Sequence, residues 1–580
     1  MLLRVRSSLQ FFSFKDWNHE RTRNDTKYDH RHALNLMKQF FSLLLIVFVL
    51  SSPLAAQKRN GSAAAAAPKY GNTDGVTAAQ LKDHLTFIAS DELEGRDTPS
   101  RGLDIAAMYI AQHLKGLGLT PAGDEGTYFQ KVPLRRAKVD IENTRLNLNG
   151  QTFAYGQDFL TSLVNANVSG AAVVFAGNGW VIKSKNVNPY QGIDVKDKVV
   201  VVVNNLPKGV TGADLKGPIG GDWMSPAYYA QTNGAKAVIN FATFSTLVNW
   251  EGTRWNQSDK GGVEFGENAS TIKIPVITVS PRAIASLFQG EKFSAANLFN
   301  KSMAGDPIES FDLKPTKRVN ATVAVKTENI HTQNVVGILE GSDPVLKNEY
   351  VAVGAHYDHV GMNPFAAGED KIWNGADDDG SGTVAVLSIA EAMAKGARPK
   401  RSMLFIWHAG EEKGLWGSEY FADHPTVPIT SIITELNIDM IGRYQNPGDE
   451  NVQNKQLPKQ GEIFLIGSRM MSTELGELSD GVNKNFLNLS FNFKYDDPND
   501  PEQFFYRSDH FNYAKKGVPI IFYMDGSHAD YHQVTDSIEK INFESMEKVT
   551  RTILATGWEL ANRPTRPKVD KPLPASVISN

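Results

Sequence analysis

The chain has 580 residues, of which 41% are hydrophobic and 21% charged; this is the composition of a folded protein too long for one ordinary core, and two or three domains are expected. A net charge of -4 provides no broad basic field for nucleic acid or an anionic membrane, so no nucleic-acid partner is expected. With no cysteine at all, disulfide staples, thiol nucleophiles and thiolate metal sites are excluded, and any metal must be held by histidine and carboxylates.

Residues 1–36 are polar, rich in Arg, His and Asn, and read as an extension upstream of the true start. From Met37 the order is that of a signal peptide over 37–56: Lys38, an apolar run from Phe40 to Leu50, then Ser51, Ser52, Pro53, Leu54, Ala55 and Ala56. The apolar run is half of the ~20 residues that a spanning helix needs. Export to the periplasm or the exterior, with no stable membrane span after cleavage, is the expectation.

An Ala-rich linker occupies 57–75. Thr77 and Gln80 make a capping pattern ahead of Leu81, Leu85 and Ile88, which share one helix face. A second helix is predicted from Leu103 to Leu114, ended by Gly116, and the two form an N-terminal helical segment over 76–135. From 140 to 320 the texture changes to short β-rich runs such as Val199 to Val203, Ala237 to Phe241 and Ile274 to Val279, which predicts an inserted domain. Over 325–563 strands and helices alternate: strands at Tyr350 to Ala355, Met403 to His408, Ile433 to Ile438 and Pro519 to Tyr523, helices at Thr383 to Lys395 and Phe543 to Ala561. This predicts an α/β fold, doubly wound, with a mainly parallel sheet covered by helices on both faces. Residues 564–580 form a Pro-rich tail.

Acidic and histidine residues fall at the carboxyl ends of those strands. His356 and Asp358 follow the first, Asp377, Asp378 and Asp379 precede the next helix, Glu411 and Glu412 follow His408, Asp439 closes the Ile433 strand, and His532 follows the Pro519 strand. Taken singly they have structural explanations: the Asp triplet before Gly-Ser-Gly as a turn and helix cap, the Glu pair as a charged helix start. Asp439 resists such a reading, since Leu436, Ile438, Met440 and Ile441 around it read as buried and an unpartnered buried carboxylate is costly. Together the five segments share the edge of an open α/β sheet where ligands bind, and their donor types suit a pair of divalent ions bridged by a carboxylate.

The runs Gly354-Ala355-His356-Tyr357-Asp358-His359-Val360-Gly361, Asn374 to Gly382, Gly410-Glu411-Glu412-Lys413-Gly414, Asn437-Ile438-Asp439-Met440, Ser508-Asp509-His510 and Asp530-Tyr531-His532 together resemble the M28 family of zinc aminopeptidases over roughly 325 to 560. The helices flanking Glu92-Leu93-Glu94-Gly95-Arg96 look like the segment preceding that domain, and 140–320 resembles a protease-associated (PA) domain. The resemblance implies two Zn2+ per chain, one held by His356 and Asp439, the other by Glu412 and His532, with Asp378 bridging. It implies Glu411 as the general base, which passes a proton from the attacking water to the leaving amine, Asp358 as the residue that orients His356, and Tyr531 as a donor to the developing oxyanion. The implied substrates are peptides with a free N-terminus.

Ser508-Asp509-His510 has the letters of a serine-hydrolase triad, but contiguous residues cannot orient one another and the run reads as a loop beneath the site. His359, His408 and His528 read as packing or supporting residues. A carboxypeptidase of the same fold, capturing a carboxylate with Arg443 or Arg507, is the alternative within the fold, with a glutaminyl-cyclase-like transferase behind it. A metal-free binding protein is the alternative from another class; the intact ligand set and base argue against it.

Overall fold

The computed structural model describes residues 70–266, 271–497, 500–574 and Val577. The readings of 1–36 and 37–56, and most of the linker, lie outside these residues. Among the described residues no helix is long and apolar enough to cross a membrane.

The first helix, α1 (Ala78–Ile88), starts where Thr77 accepts a hydrogen bond from the Gln80 N–H, as the capping pattern predicts. Helix α2 (Arg101–Gly116) is capped by Ser100 and buries Leu103, Ala107, Ile110 and Leu114 on one face. Strand β1 (Phe129–Val139) then leads into the insertion, whose ordered strands include β2 (Val173–Phe175), β3 (Val199–Val202), β4 (Ala237–Phe241), β5 (Gly262–Phe265) and β6 (Val276–Val279). The chain returns in β7 (Val325–Leu339) and continues through β8 (Tyr350–His356), α3 (Gly382–Lys395), β9 (Ser402–His408), β10 (Ile432–Ile438), β11 (Glu462–Ile466), β12 (Ser490–Asn492), β13 (Ile520–Met524) and α4 (Phe543–Asn562).

The main sheet runs β5-β1-β7-β9-β8-β10-β13-β11-β12, with Thr120–Pro121 as a tenth short strand on β7. The expectation of a mainly parallel sheet is corrected here. Strands β9-β8-β10-β13 form a parallel block of four and β11 pairs parallel with β12, but both flanks join the block through antiparallel pairs, β7 on β9 and β11 on β13. On one flank β7 continues into a long antiparallel ribbon with β1, in register from Val139↔Val325 to Phe129↔Val335. Residues that far apart in the chain carry no local sign of pairing.

Alternation along the central strands sends side chains into two cores. Val351, Val353, Ala355, Met403, Phe405 and Trp407 pack with α1, α2, α3 and α4; Ala352, Leu404 and Ile406 pack with Phe421, Tyr513 and Ala514 on the opposite face. Helices therefore cover both faces.

The insertion leaves and re-enters at paired residues, so its ends are already adjacent. It contains a six-stranded sheet, in which β2-β3-β4-β6 are parallel, and a four-stranded antiparallel sheet. Between them lies an apolar core that includes Leu146, Phe175, Val201, Ile239 and Ile277. Strand β5 is the exception: it pairs with β1 and forms the edge of the main sheet. Beside it Lys260 forms an ion pair with Asp97, which also binds Lys413 at 2.6 Å, and Phe265 stacks on Trp416, so the insertion flanks one wall of the peptide segment that bears Glu411 and Glu412.

Candidate active site

The parallel block delivers its carboxyl ends to one edge, and four of the predicted residues arrive there by strand position alone. His356 is the last residue of β8, Asp439 follows β10, and Glu411 and Glu412 lie in the turn after β9. Asp378 is placed by a loop instead. Asp377 N–H and Asp378 N–H both donate to the Asp536 carboxylate at 3.1 Å, and Ser381 Oγ donates to the Asp377 carbonyl at 2.8 Å. The loop closes tightly enough that a Cβ on Gly382 would lie 2.3 Å from the Ile438 carbonyl oxygen, which is why glycine opens α3.

The three aspartates separate into different roles. Asp377 accepts from Gly442 N–H at 2.7 Å and faces His528 Nε2 at 3.2 Å. Asp379 accepts from Gly382 and Met440 N–H groups, at 2.8 and 3.1 Å. Asp378 alone turns both oxygens into the cleft, Oδ1 to His356 Nε2 at 3.4 Å and Oδ2 to His532 Nε2 at 3.1 Å. Asp439 Oδ1 lies 3.6 Å from His356 Nε2, and Glu412 Oε2 lies 2.9 Å from His532 Nε2. His356 Nε2, His532 Nε2 and Asp378 Oδ2 are buried without a hydrogen bond. Unpaired imidazole nitrogens and carboxylate oxygens converging in this way are the donor set of a hard-to-borderline divalent ion, and the five residues fit it.

The electrostatics report the same crowding. Burial opposes charge on His532, but Asp378 and Glu412 outweigh it and push its pKa up to about 10. Burial raises the Glu411 carboxyl well above its ordinary value, opposed by His356 and reinforced by Asp439, Glu412 and Asp509. For Asp378, burial is outweighed by His356 and His532, and its pKa is lowered.

Supporting residues fix these groups. Asp358 is fully buried; its backbone carbonyl is 3.2 Å and its Oδ1 3.6 Å from His356 Nδ1, while Thr98 Oγ1 and the Glu411 N–H donate to its carboxylate at 2.9 and 3.2 Å. It thus ties the β8 end to the Glu411 turn. Ser508 Oγ donates to Asp439 Oδ2 at 2.7 Å, and His510 Nε2 binds the Phe505 carbonyl, so the Ser-Asp-His run is a supporting loop as expected. His408 and His528 are buried beside Tyr513 and Asp377. His359 comes closer, with Nδ1 2.8 Å from Glu412 Oε1 and 3.7 Å from Asp378 Oδ2, and belongs to the same donor cluster. Tyr531 stacks on the His532 ring at 3.9 Å and lines one cleft with Asp378, Glu411, Asp439 and Arg507. Arg443 is engaged elsewhere, with Asp530 at 3.0 Å.

The residue that sequence reasoning missed is Arg96. Fully buried, it donates to the carbonyls of Tyr357, Ile88, Asn374 and Gly375, at 2.9, 2.5, 2.7 and 2.9 Å, and so clamps the His356 and Asp378 loops to the end of α1. Its only sequence sign is its place in the Glu-Leu-Glu-Gly-Arg run, which does not reveal that the side chain is buried.

The chain is similar to several known proteins. A leucine aminopeptidase 2 of Arthroderma otae is 25% identical over 348 residues, 54% of this chain and 64% of that protein. A probable zinc metalloprotease of Leptosphaeria maculans is 27% identical over 269 residues, 41% and 59% of the two chains. Against these two relatives the chain thus spans under two thirds of their length. The solved structure of a zinc aminopeptidase from Bacillus subtilis aligns with 86% of this chain and 99% of its own at 17% identity and a TM-score of 0.49. The model of peptidase family M28 matches residues 334–557, the stretch that contains β8, β9, β10, β13 and every proposed metal ligand. Over residues 334–557 the chain thus resembles peptidase family M28.

Proposed function

We propose that this chain is an exported aminopeptidase that works with two zinc ions and a glutamate base. The observation that carries the proposal is Asp378, whose two carboxylate oxygens face two separate groups of donors. His356 and Asp439 would hold one ion, Glu412 and His532 the other, and Asp378 both. Zinc in these positions supplies Lewis-acid polarisation of the scissile carbonyl and a water of lowered pKa.

The chain's own groups do the rest. Glu411, beside the ligands but turned to none at bonding distance, takes a proton from the attacking water and delivers it to the departing amine as the C–N bond breaks. Its raised pKa suits a group that must hold that proton between the two steps. Tyr531 donates its phenol hydrogen to the carbonyl oxygen as charge develops there. Asp358 holds His356 in one orientation. The acidic cleft attracts an α-ammonium group, which favours substrates with a free N-terminus, and the aminopeptidase names of relatives support that choice. The insertion is taken as a PA-type domain flanking the cleft, and segment 37–56 as the export signal.

Hydrolysis of aminoacyl chromogenic amides and their N-acetylated counterparts tests this reading, with zinc measured on the same sample. Turnover of free amines only, with two zincs per chain, is expected. Indifference to acetylation would favour the carboxypeptidase, for which Arg507 on the cleft wall is the available cation. N-terminal sequencing of the secreted chain tests the export segment.

A further inference from the structure

A second cluster of metal-ligand chemistry lies where α1, α2 and α3 meet, roughly 13–14 Å along α3 from Gly382. His84 of α1, His113 of α2 and Glu391 of α3 each offer a donor atom within 4.8 Å of the others. His84 Nε2 and Glu391 Oε1 are 3.1 Å apart, close to the separation of about 3.3 Å between donors of a tetrahedral zinc with bonds of about 2.0–2.1 Å.

Each of the three is oriented by a further partner. His113 Nδ1 donates to the Tyr109 carbonyl at 2.8 Å, which leaves Nε2 as the basic nitrogen of the neutral ring. His84 Nδ1 is 2.9 Å from the Tyr109 hydroxyl, which frees Nε2 for the cluster. Glu391 Oε2 accepts from Gln80 Nε2 at 2.7 Å and from Lys395 Nζ at 3.1 Å, so that Oε1 is the oxygen left for the histidines. Locking a ligand through its far atom is how metal sites fix tautomer and direction. A plain ion pair between His84 and Glu391 would need no His113, yet that ring packs edge-on to His84 at 5.2 Å. His84 and Glu391 are nearly buried and His113 is half-buried, so the fourth position opens toward solvent and water can fill it.

We infer that His84, His113 and Glu391 form a further zinc site, separate from the cleft, which fastens α1 and α2 to α3. Its position gives it a structural function: α3 begins at the loop that carries Asp378, and α1 ends at the carbonyl that Arg96 grips.

The test is zinc content after equilibrium dialysis of the full chain against zinc-buffered solutions, for wild type, His113→Ala and Glu391→Gln. Each variant is expected to bind one zinc fewer per chain, with turnover per catalytic site changed less than twofold, because none of these groups touches the cleft. Equal zinc content in all three at every free zinc concentration would overturn the site. Diethylpyrocarbonate labelling of the wild-type chain, read by mass spectrometry, gives an answer that needs no variant to fold. Zinc alone should protect His113 at least fivefold, and labelling unchanged by saturating zinc would also sink the proposal.

Discussion

The insertion and the peptidase domain both contain four parallel strands, yet among the described residues only the peptidase domain gathers clusters of metal-ligand side chains. In each, the strands are apolar ladders: Val199–Val202 is buried throughout, as is Ser402–His408. The difference lies in the residues just past the strands. In the insertion these are Ala176 and Gly177, Val203 and Asn204, Ala242 and Thr243, and Ser280, which caps the next helix by accepting from Ala283 N–H. In the peptidase domain β8 ends on His356 itself, and the residues beyond the strands include Asp358, Asp439, Asp525 and the Glu411-Glu412 turn. A parallel sheet provides the crevice, and the residues at its rim decide whether it does chemistry.

The sharpest way to break this comparison is at the rim itself. Glu411→Gln should lower turnover by about 10²–10⁴-fold, the usual worth of a general base, while zinc content stays at the wild-type level. A parallel loss of zinc would make Glu411 a ligand instead. The opposite manipulation strikes the insertion's core: Ile239→Ala should destabilise that region by about 2–5 kcal/mol through the cavity it leaves. Calorimetry should show the loss in one transition with zinc still bound. Loss of zinc in that variant would show that the two sheets unfold as one unit, coupled through β5.

A smaller effect is expected one layer behind the rim. Asp358→Asn should weaken zinc binding or turnover by about 10–100-fold, measured by competition with a chelator, because His356 loses its orienting carboxylate. Smallest is the effect at α3. The His84 hydrogen bond, followed by Lys395, outweighs burial and holds Glu391 at about 2, against an ordinary 4.5. A carboxyl with a depressed folded pKa contributes stability above its unfolded pKa and loses it as pH falls through the folded one. For chain stripped of metal, the stability difference between wild type and Glu391→Gln should therefore be full above pH 4.5 and vanish toward pH 2, as followed by thermal unfolding.

Much of the peptidase domain was legible because its signals are local. Thr77 caps α1 as its spacing predicts, α2 is a helix across the predicted Leu103 to Leu114, and the strands ending at His408 and Ile438 stop where the apolar runs stop. The antiparallel ribbon of β1 and β7 was not legible, because the two strands are joined only across the whole insertion. Arg96 escaped for a related reason: four carbonyls from three separate segments make its site, and none of them leaves a mark in the side-chain sequence.

What the sequence determined by itself was the chemical inventory and the ends at which it falls, since strand length and residue type are properties of short stretches of chain. Which of Asp377, Asp378 and Asp379, adjacent and chemically alike, turns both oxygens to the two histidines is set only by tertiary structure. Backbone N–H groups of Gly442, Gly382 and Met440 donate to the outer two, and His356 at the end of β8 and His532 in the loop after β13 meet the oxygens of the third. A buried carboxylate takes its role from whichever partners the fold sets around it, because leaving it without any is too costly.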